Sequence, residues 1–242
     1  YHKTLNNYKL SKLILFKDHI KKNSIAVINT DSKYSDFFIE CCKMNNIRVL
    51  DYGKNGRYVK IKSIQYFKHK IKVEILFKKE IIILKTNCST EFEIYNRICS
   101  LIMAFNRSLD IKHFQIISNL KNPHGRIEKI FDKENIKVFI DYAHTPDAIS
   151  KVLSSLKKIT LGRVILVFGC GGERDKSKRN KMTKEAIKFS DLIIITDDNP
   201  RFEDPEKIRN DMIKGIKSND LNKIRIIGDR YNAIKIAINK LR

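Results

Sequence analysis

Apolar positions keep two different rhythms along this chain. Near the start Leu5, Tyr8, Leu15 and His19 return at helical intervals, with Lys12 in the middle of the stripe. SIAVINTD, residues 24–31, then reads as a buried strand that ends in polar residues. Residues 34–44 read as a helix, and IRVLDYG as a second strand. Residues 58–67, 70–77 and 80–85 alternate apolar with polar, the period of a three-stranded meander. Apolar helices are expected over 92–105 and 111–120.

After Asn122-Pro123-His124-Gly125 the rhythm changes. Strand patterns at 138–141, 163–168, 192–196 and 224–227 are separated by helical stretches, with helices opening at Pro146, Pro205 and Tyr231 and one running through Lys188. Strict strand–helix alternation predicts a parallel sheet with helices on its faces. The expected fold class is therefore α/β. A mixed α/β domain is expected over 1–120 and a Rossmann-like parallel-sheet domain over 121–242.

Open α/β sheets bind ligands beyond the carboxyl ends of their strands. DYAHTPD, GCGGERDKSKR and DDNPR stand at three such ends and are expected to share one rim. In the first, Thr145 caps a helix and Pro146 takes its first position. Capping needs neither Asp141 nor His144, whereas a carboxylate can accept both hydroxyls of a ribose and an imidazole can contact a nucleotide. In the second, Gly169 and Gly171 fit G-x-G, but Arg174 occupies the third glycine position, so a dinucleotide fingerprint is rejected. Close-approaching glycines followed by Arg and Lys still suit an anion. In the third, Asp198 can take an ammonium and Arg201 a carboxylate, which together suit a zwitterionic amino acid. A solvated loop with Asp204 capping the next helix remains the open alternative. Lys12, on an apolar stripe, must snorkel, pair or lose its charge.

Composition narrows the classes. Hydrophobic residues are 42% and charged residues 31% of 242, which fits a packed core. No apolar run reaches the ~18 residues of a membrane span, and no signal peptide opens the chain. The 5 cysteines form no CxxC pair, so neither a zinc site nor a disulfide framework is expected, and a reducing cytoplasm suits them. A net charge of +22 raises nucleic-acid binding. The lysines are scattered, however, and no helix-turn-helix, finger or RNA-recognition signature occurs. Lysine rising together with Ile and Asn is what A/T-rich codons give; a basic surface would still draw in anionic small substrates.

YHKTLNNYKLSKLILF, GRIE at 125–128, DYAHTPDA, FGCGGERDKSKR and TDDNPR follow one another in an order and at a spacing that resembles the Mur ligases. The resemblance spans nearly the whole chain and is densest over 125–216. It implies a truncated central ATPase domain followed by an incomplete C-terminal amino-acid-binding domain. It also implies a monomeric cytoplasmic ligase of peptidoglycan synthesis that uses ATP and magnesium. The implied substrates are UDP-N-acetylmuramoyl-L-alanyl-D-glutamate and, from the DNPR form, meso-diaminopimelate; no nucleic acid is implied. Lys12 resembles the lysine that becomes a carbamate and ligates magnesium, and Asn96 the asparagine that contacts adenine. Arg126 resembles the arginine that steadies the transferring phosphate, and Asp141 the ribose carboxylate, with His144 beside it at the nucleotide. Arg174, Asp198, Asn199, Pro200 and Arg201 match positions that bind diaminopimelate. An arginine there favours the distal carboxylate of diaminopimelate and penalises lysine.

Two departures stand out. Glu93 stands where the family usually has asparagine, and no G-x-x-x-x-G-K-[ST] phosphate loop occurs. The chain, which does not open with Met, is therefore expected to be a fragment that does not turn over alone. The open alternatives are a family member that adds another amino acid, an inactive remnant, or a basic nucleic-acid-binding protein.

Overall fold

The computed structural model describes residues 4–21, 23–67, 70–133 and 135–241, so the first three residues of the YHKTLNNYKL stretch lie outside it. Two compact units divide the chain, Tyr1–Lys121 and Asn122–Arg242.

In the first unit α1 (Leu5–Ile14) runs into a π-helical turn over Leu15–His19, followed by β1 (Ile25–Asn29), α2 (Ser35–Met44) and β2 (Arg48–Gly53). Next come β3 (Val59–Phe67), β4 (Lys70–Phe77), β5 (Glu80–Thr86), α3 (Glu91–Phe105), a 3-10 turn at Ile111–Phe114 and α4 (Gln115–Asn119). The strands form one sheet in the order β1-β2-β3-β4-β5. β1 and β2 are parallel, as a crossover through α2 requires, and the meander β3-β4-β5 is antiparallel. Alternation decides the core: Ile71, Val73, Ile75 and Phe77 of β4 are buried in one cluster with Ile94, Ile98, Leu101 and Ile102 of α3. Each such side chain stabilises the unit by about 1.5–3 kcal/mol.

The start of α3 gives Glu93 a structural role. Its Oε2 accepts the backbone N–H groups of Ser89 (2.8 Å) and Thr90 (2.7 Å) and the Thr90 hydroxyl (2.9 Å). This is a capping box, closed by a carboxylate that turns back on donors the helix cannot satisfy itself.

α1 departs from expectation. None of its residues is buried; Leu5, Tyr8, Leu15 and His19 are all exposed. Apolar cover begins only beyond the helix, where Phe16 and Ile20 pack with Ala26, Ile28, Cys42 and Ile47. Lys12 is exposed, its Nζ 5.3 Å from the Tyr8 ring centroid, so no buried charge has to be removed there.

The second unit begins with the hairpin β6 (Glu128–Lys133) and β7 (Ile136–Ile140), then α5 (Pro146–Ile159), β8 (Ile165–Phe168), α6 (Ser177–Phe189) and β9 (Leu192–Ile195). It ends with α7 (Pro205–Ile213), α8 (Ser218–Leu221), β10 (Ile224–Ile226) and α9 (Arg230–Asn239). β8, β9 and β10 make a parallel sheet in the order β10-β9-β8. Ile193 and Ile195 face Ile149, Leu153, Met182, Ala186, Ile208 and Met212, while Ile194 between them meets Ala233 and Ala237 of α9. Strict alternation on β9 therefore puts helices on both faces. β7 corrects the expected fourth parallel strand: it pairs antiparallel with β6. The segment EKIFDK carried no clear alternation, and a short turn containing Asn135 in the left-handed region (φ 65°) closes the hairpin.

Candidate functional site

The rim beyond β8 and β9 is built from two loops that touch along their backbones. Gly172 N–H donates to Asn199 O (2.9 Å), and Arg201 Nη1 donates to Gly172 O (2.6 Å). Gly172 has to be glycine: a Cβ there would lie 1.8 Å from Pro200 O. Arg201 itself sits at φ 52°, where few side-chain-bearing residues are found, and its N–H donates to Asn199 Oδ1. Arg174, Asp198, Asn199 and Arg201 are exposed and Pro200 is half-buried. Both signs of charge thus face solvent from one laced pair of loops.

Beneath them lies an ion-pair cluster that the sequence reading did not single out. Arg179, only 1% exposed, donates from Nη2 to Glu203 Oε1 (2.9 Å) and from Nη1 to Glu203 Oε2 (3.1 Å) and Asp211 Oδ2 (2.9 Å). Glu203 also accepts the Glu173 N–H and pairs with Lys176 at 3.3 Å. Arg179 first, then the Glu173 N–H, hold its carboxyl down to about 2. Cys170 lies under the same loops, and burial pushes its thiol up to about 11, so it acts as a packed apolar group rather than a nucleophile.

The turn after β7 forms a second cluster. Asp141 Oδ2 accepts from Ile127 N–H (2.9 Å) and Oδ1 from Ala143 N–H (2.8 Å). Ile127 is buried at φ 47°, a costly conformation for a β-branched residue, and Asn122 Nδ2 holds its carbonyl as well. Arg126 next to it places its guanidinium 4.8 Å from the Tyr142 ring centroid. Tyr142 in turn meets His144 edge-on at 5.1 Å, and His144 Nδ1 lies 2.9 Å from Tyr142 O. The expected meeting of strand ends holds here too, since Lys178 Nζ donates to His144 O at 2.9 Å. Arg126, Asp141 and His144 are therefore brought together, with Tyr142 as an unanticipated fourth member. The Tyr in DYAHTPD was the signal available for it.

In the first unit Asn96 lies on the exposed side of α3. Its neighbour Tyr95 donates its hydroxyl to Asp31 Oδ2 (2.7 Å), and Asp31 also accepts from Lys54 N–H (2.8 Å). Asp31 was legible only as the polar end of a strand. The residues fit magnesium poorly: among the described residues no three His, Cys, Asp or Glu side chains cluster as a metal site, and Lys12 could supply one ligand only as a carbamate. No described helix is long and apolar enough to cross a membrane.

Known proteins match both units. The Mur ligase middle domain matches residues 1–104, and the Mur ligase glutamate ligase domain matches 125–242. The UDP-N-acetylmuramoyl-L-alanyl-D-glutamate--2,6-diaminopimelate ligase of Rickettsia typhi is 37% identical over 100% of this chain and 48% of its own length. The enzyme of that name from Aquifex aeolicus is 38% identical over 99% of the chain and 48% of its length. The chain thus spans about half the length of the curated relatives it matches. Among solved structures, one of a ligase with this name aligns at TM-score 0.59 and 32% identity over 98% of this chain and 49% of that one. MurF from Acinetobacter baumannii shares the fold at TM-score 0.73 and 12% identity, over 99% of this chain and 50% of that one. With two successive domains of one family covering nearly all of its length, the chain belongs to the Mur ligases.

Proposed function

We propose that this chain is the nucleotide-facing and amino-acid-binding part of an ATP-dependent ligase that joins meso-diaminopimelate to UDP-N-acetylmuramoyl-L-alanyl-D-glutamate. Residues 1–120 belong on this reading to the central domain and 121–242 to the amino-acid-binding domain. The observation that carries it is the laced loop pair, one loop bearing Arg174 and the other Asp198 and Arg201, all three exposed and the loops joined by backbone hydrogen bonding at Gly172.

A carboxylate and two guanidinium groups match an amino acid with an ammonium and a distal carboxylate. Arg201 and Arg174 take the carboxylate, Asp198 the ammonium, and Asn199 and Pro200 shape the loop. ATP, when bound, supplies the phosphoryl group that activates the acceptor carboxylate. Within the second unit, Arg126, steadied on Tyr142, would offset charge at that phosphoryl, and Asp141 and His144 would contact the ribose side of the nucleotide. The attacking amine must be free of its proton, and Asp198 orients the remaining ammonium away from the reacting carbon. Lys12, which is exposed, would ligate magnesium only as a carbamate, and no step is routed through it.

The test is a calorimetric titration of the 242-residue chain with meso-diaminopimelate and with L-lysine, repeated for Arg201→Ala. Preference for diaminopimelate in the parent chain and its loss in the variant are expected, with about 10–100-fold weaker binding for a lost charge-assisted pair. Equal binding of the two amino acids by the parent chain would refute the assignment.

A further inference from the structure

We propose that Arg179 is a positioning residue of the amino-acid site: a buried guanidinium that fixes the loop bearing Arg174 against the loop bearing Arg201. The inference rests on the amino-acid reading of that rim. Arg179 is only 1% exposed, and of its two carboxylate partners, Glu203 and Asp211, the first lies close in sequence to the candidate ligand groups. Glu203, which it grips with two parallel hydrogen bonds, is two residues after Arg201. The same Glu203 accepts the N–H of Glu173, the residue before Arg174. One carboxylate thus fastens both loops, and Arg179 fastens the carboxylate to α6.

The chemistry requires arginine. A buried cation without partners is strongly destabilising. Here Arg179 and Lys176 balance Glu203 and Asp211, so the cluster closes without net charge. Only a planar fork reaches both oxygens of Glu203 and one of Asp211 at once; an ammonium in its place has the charge but not the directions. Loosening the clamp therefore moves Arg174 and Arg201 relative to each other without altering either.

The experiment compares the 242-residue chain with Arg179→Lys, Arg179→Met and Glu203→Gln. Two readouts are taken: affinity for meso-diaminopimelate against L-lysine, and hydrogen exchange of the Gly172 and Glu173 amides. Arg179→Lys is expected to keep its circular dichroism and the slow exchange of Ile193 in the central strand. It should exchange Gly172 and Glu173 about tenfold faster and lose about tenfold in its preference for diaminopimelate, which is about 1.4 kcal/mol. Glu203→Gln should behave alike, which keeps the test decisive if Arg179→Met does not fold. Parental selectivity and parental exchange in both Arg179→Lys and Glu203→Gln overturn the proposal. Failure of the parent chain to bind either amino acid, with exchange still responding, overturns instead the amino-acid reading and with it the positioning role.

Discussion

Gly172→Ala probes how closely the two ligand-bearing loops must approach. An added Cβ would lie 1.8 Å from Pro200 O and 2.6 Å from Pro200 C, both backbone atoms that no side-chain rotation can remove. Ordinary carbon contacts begin at about 3.5 Å, so the loops must part by more than about 1 Å. Parting them stretches two hydrogen bonds, Gly172 N–H to Asn199 O and Arg201 Nη1 to Gly172 O. A neutral bond contributes about 1 kcal/mol and a charged one about 1.5–3 kcal/mol, and overpacking costs about 1–3 kcal/mol. Relaxation makes these terms overlap, so a loss of about 2–4 kcal/mol is expected. Urea denaturation followed by circular dichroism reads it, with Gly162→Ala as control, since a Cβ at Gly162 meets nothing within 4 Å. The control should stay within about 0.5 kcal/mol of the parent. If Gly172→Ala proves as harmless as Gly162→Ala, the close approach is not a constraint.

Two further expectations concern carboxylates. Glu93→Asn shortens the side chain that caps Ser89 and Thr90 and should cost about 1–2 kcal/mol in thermal or urea unfolding; an unchanged midpoint would show that the cap is dispensable. Glu203 is held at about 2 against an ordinary 4.5. A carboxyl lowered on folding contributes stability that is present above its ordinary value and lost as pH falls toward the folded one. Acidification from pH 4.5 toward about 2 should therefore lower the protection of the Gly172 and Glu173 amides, taken as exchange relative to the intrinsic rate at each pH, and Glu203→Gln should flatten that response; a variant with the parental pH dependence of protection would exclude Glu203 as the titrating group.

Much of this fold is written in local patterns. Thr145-Pro146 and Asp204-Pro205 open helices because cap and first-turn proline are decided by neighbours in sequence. The meander follows from period-two alternation. β7 was misassigned because its partner is chosen by the hairpin turn, and β6 shows little pattern of its own. The apolar stripe around Lys12 suggested a covered helix face, but none of the residues of α1 is buried, because periodicity alone does not say whether a face meets a partner. The candidate ligand residues were legible as clustered charges at strand ends. Arg179 was not: within SKRNKMTKEAIK it reads as one more surface cation, and its partners at Glu203 and Asp211 are brought near only by the packing of α6 on α7.

The bare flank of α1 also bears on how this chain behaves in solution. Its leucines and isoleucine at Leu5, Leu10, Ile14 and Leu15 face water, on a molecule carrying +22 charges. At low ionic strength like-charged copies repel one another across a screening length of about 30 Å, and the greasy flank stays out of reach of its twin. At about 0.15 M salt that length shrinks to about 8 Å, the repulsion fades, and the flank becomes adhesive. For the 242-residue chain taken by itself, light scattering should therefore show more self-association at about 0.15 M salt than in dilute buffer, and equal scattering in the two would exclude this balance of forces.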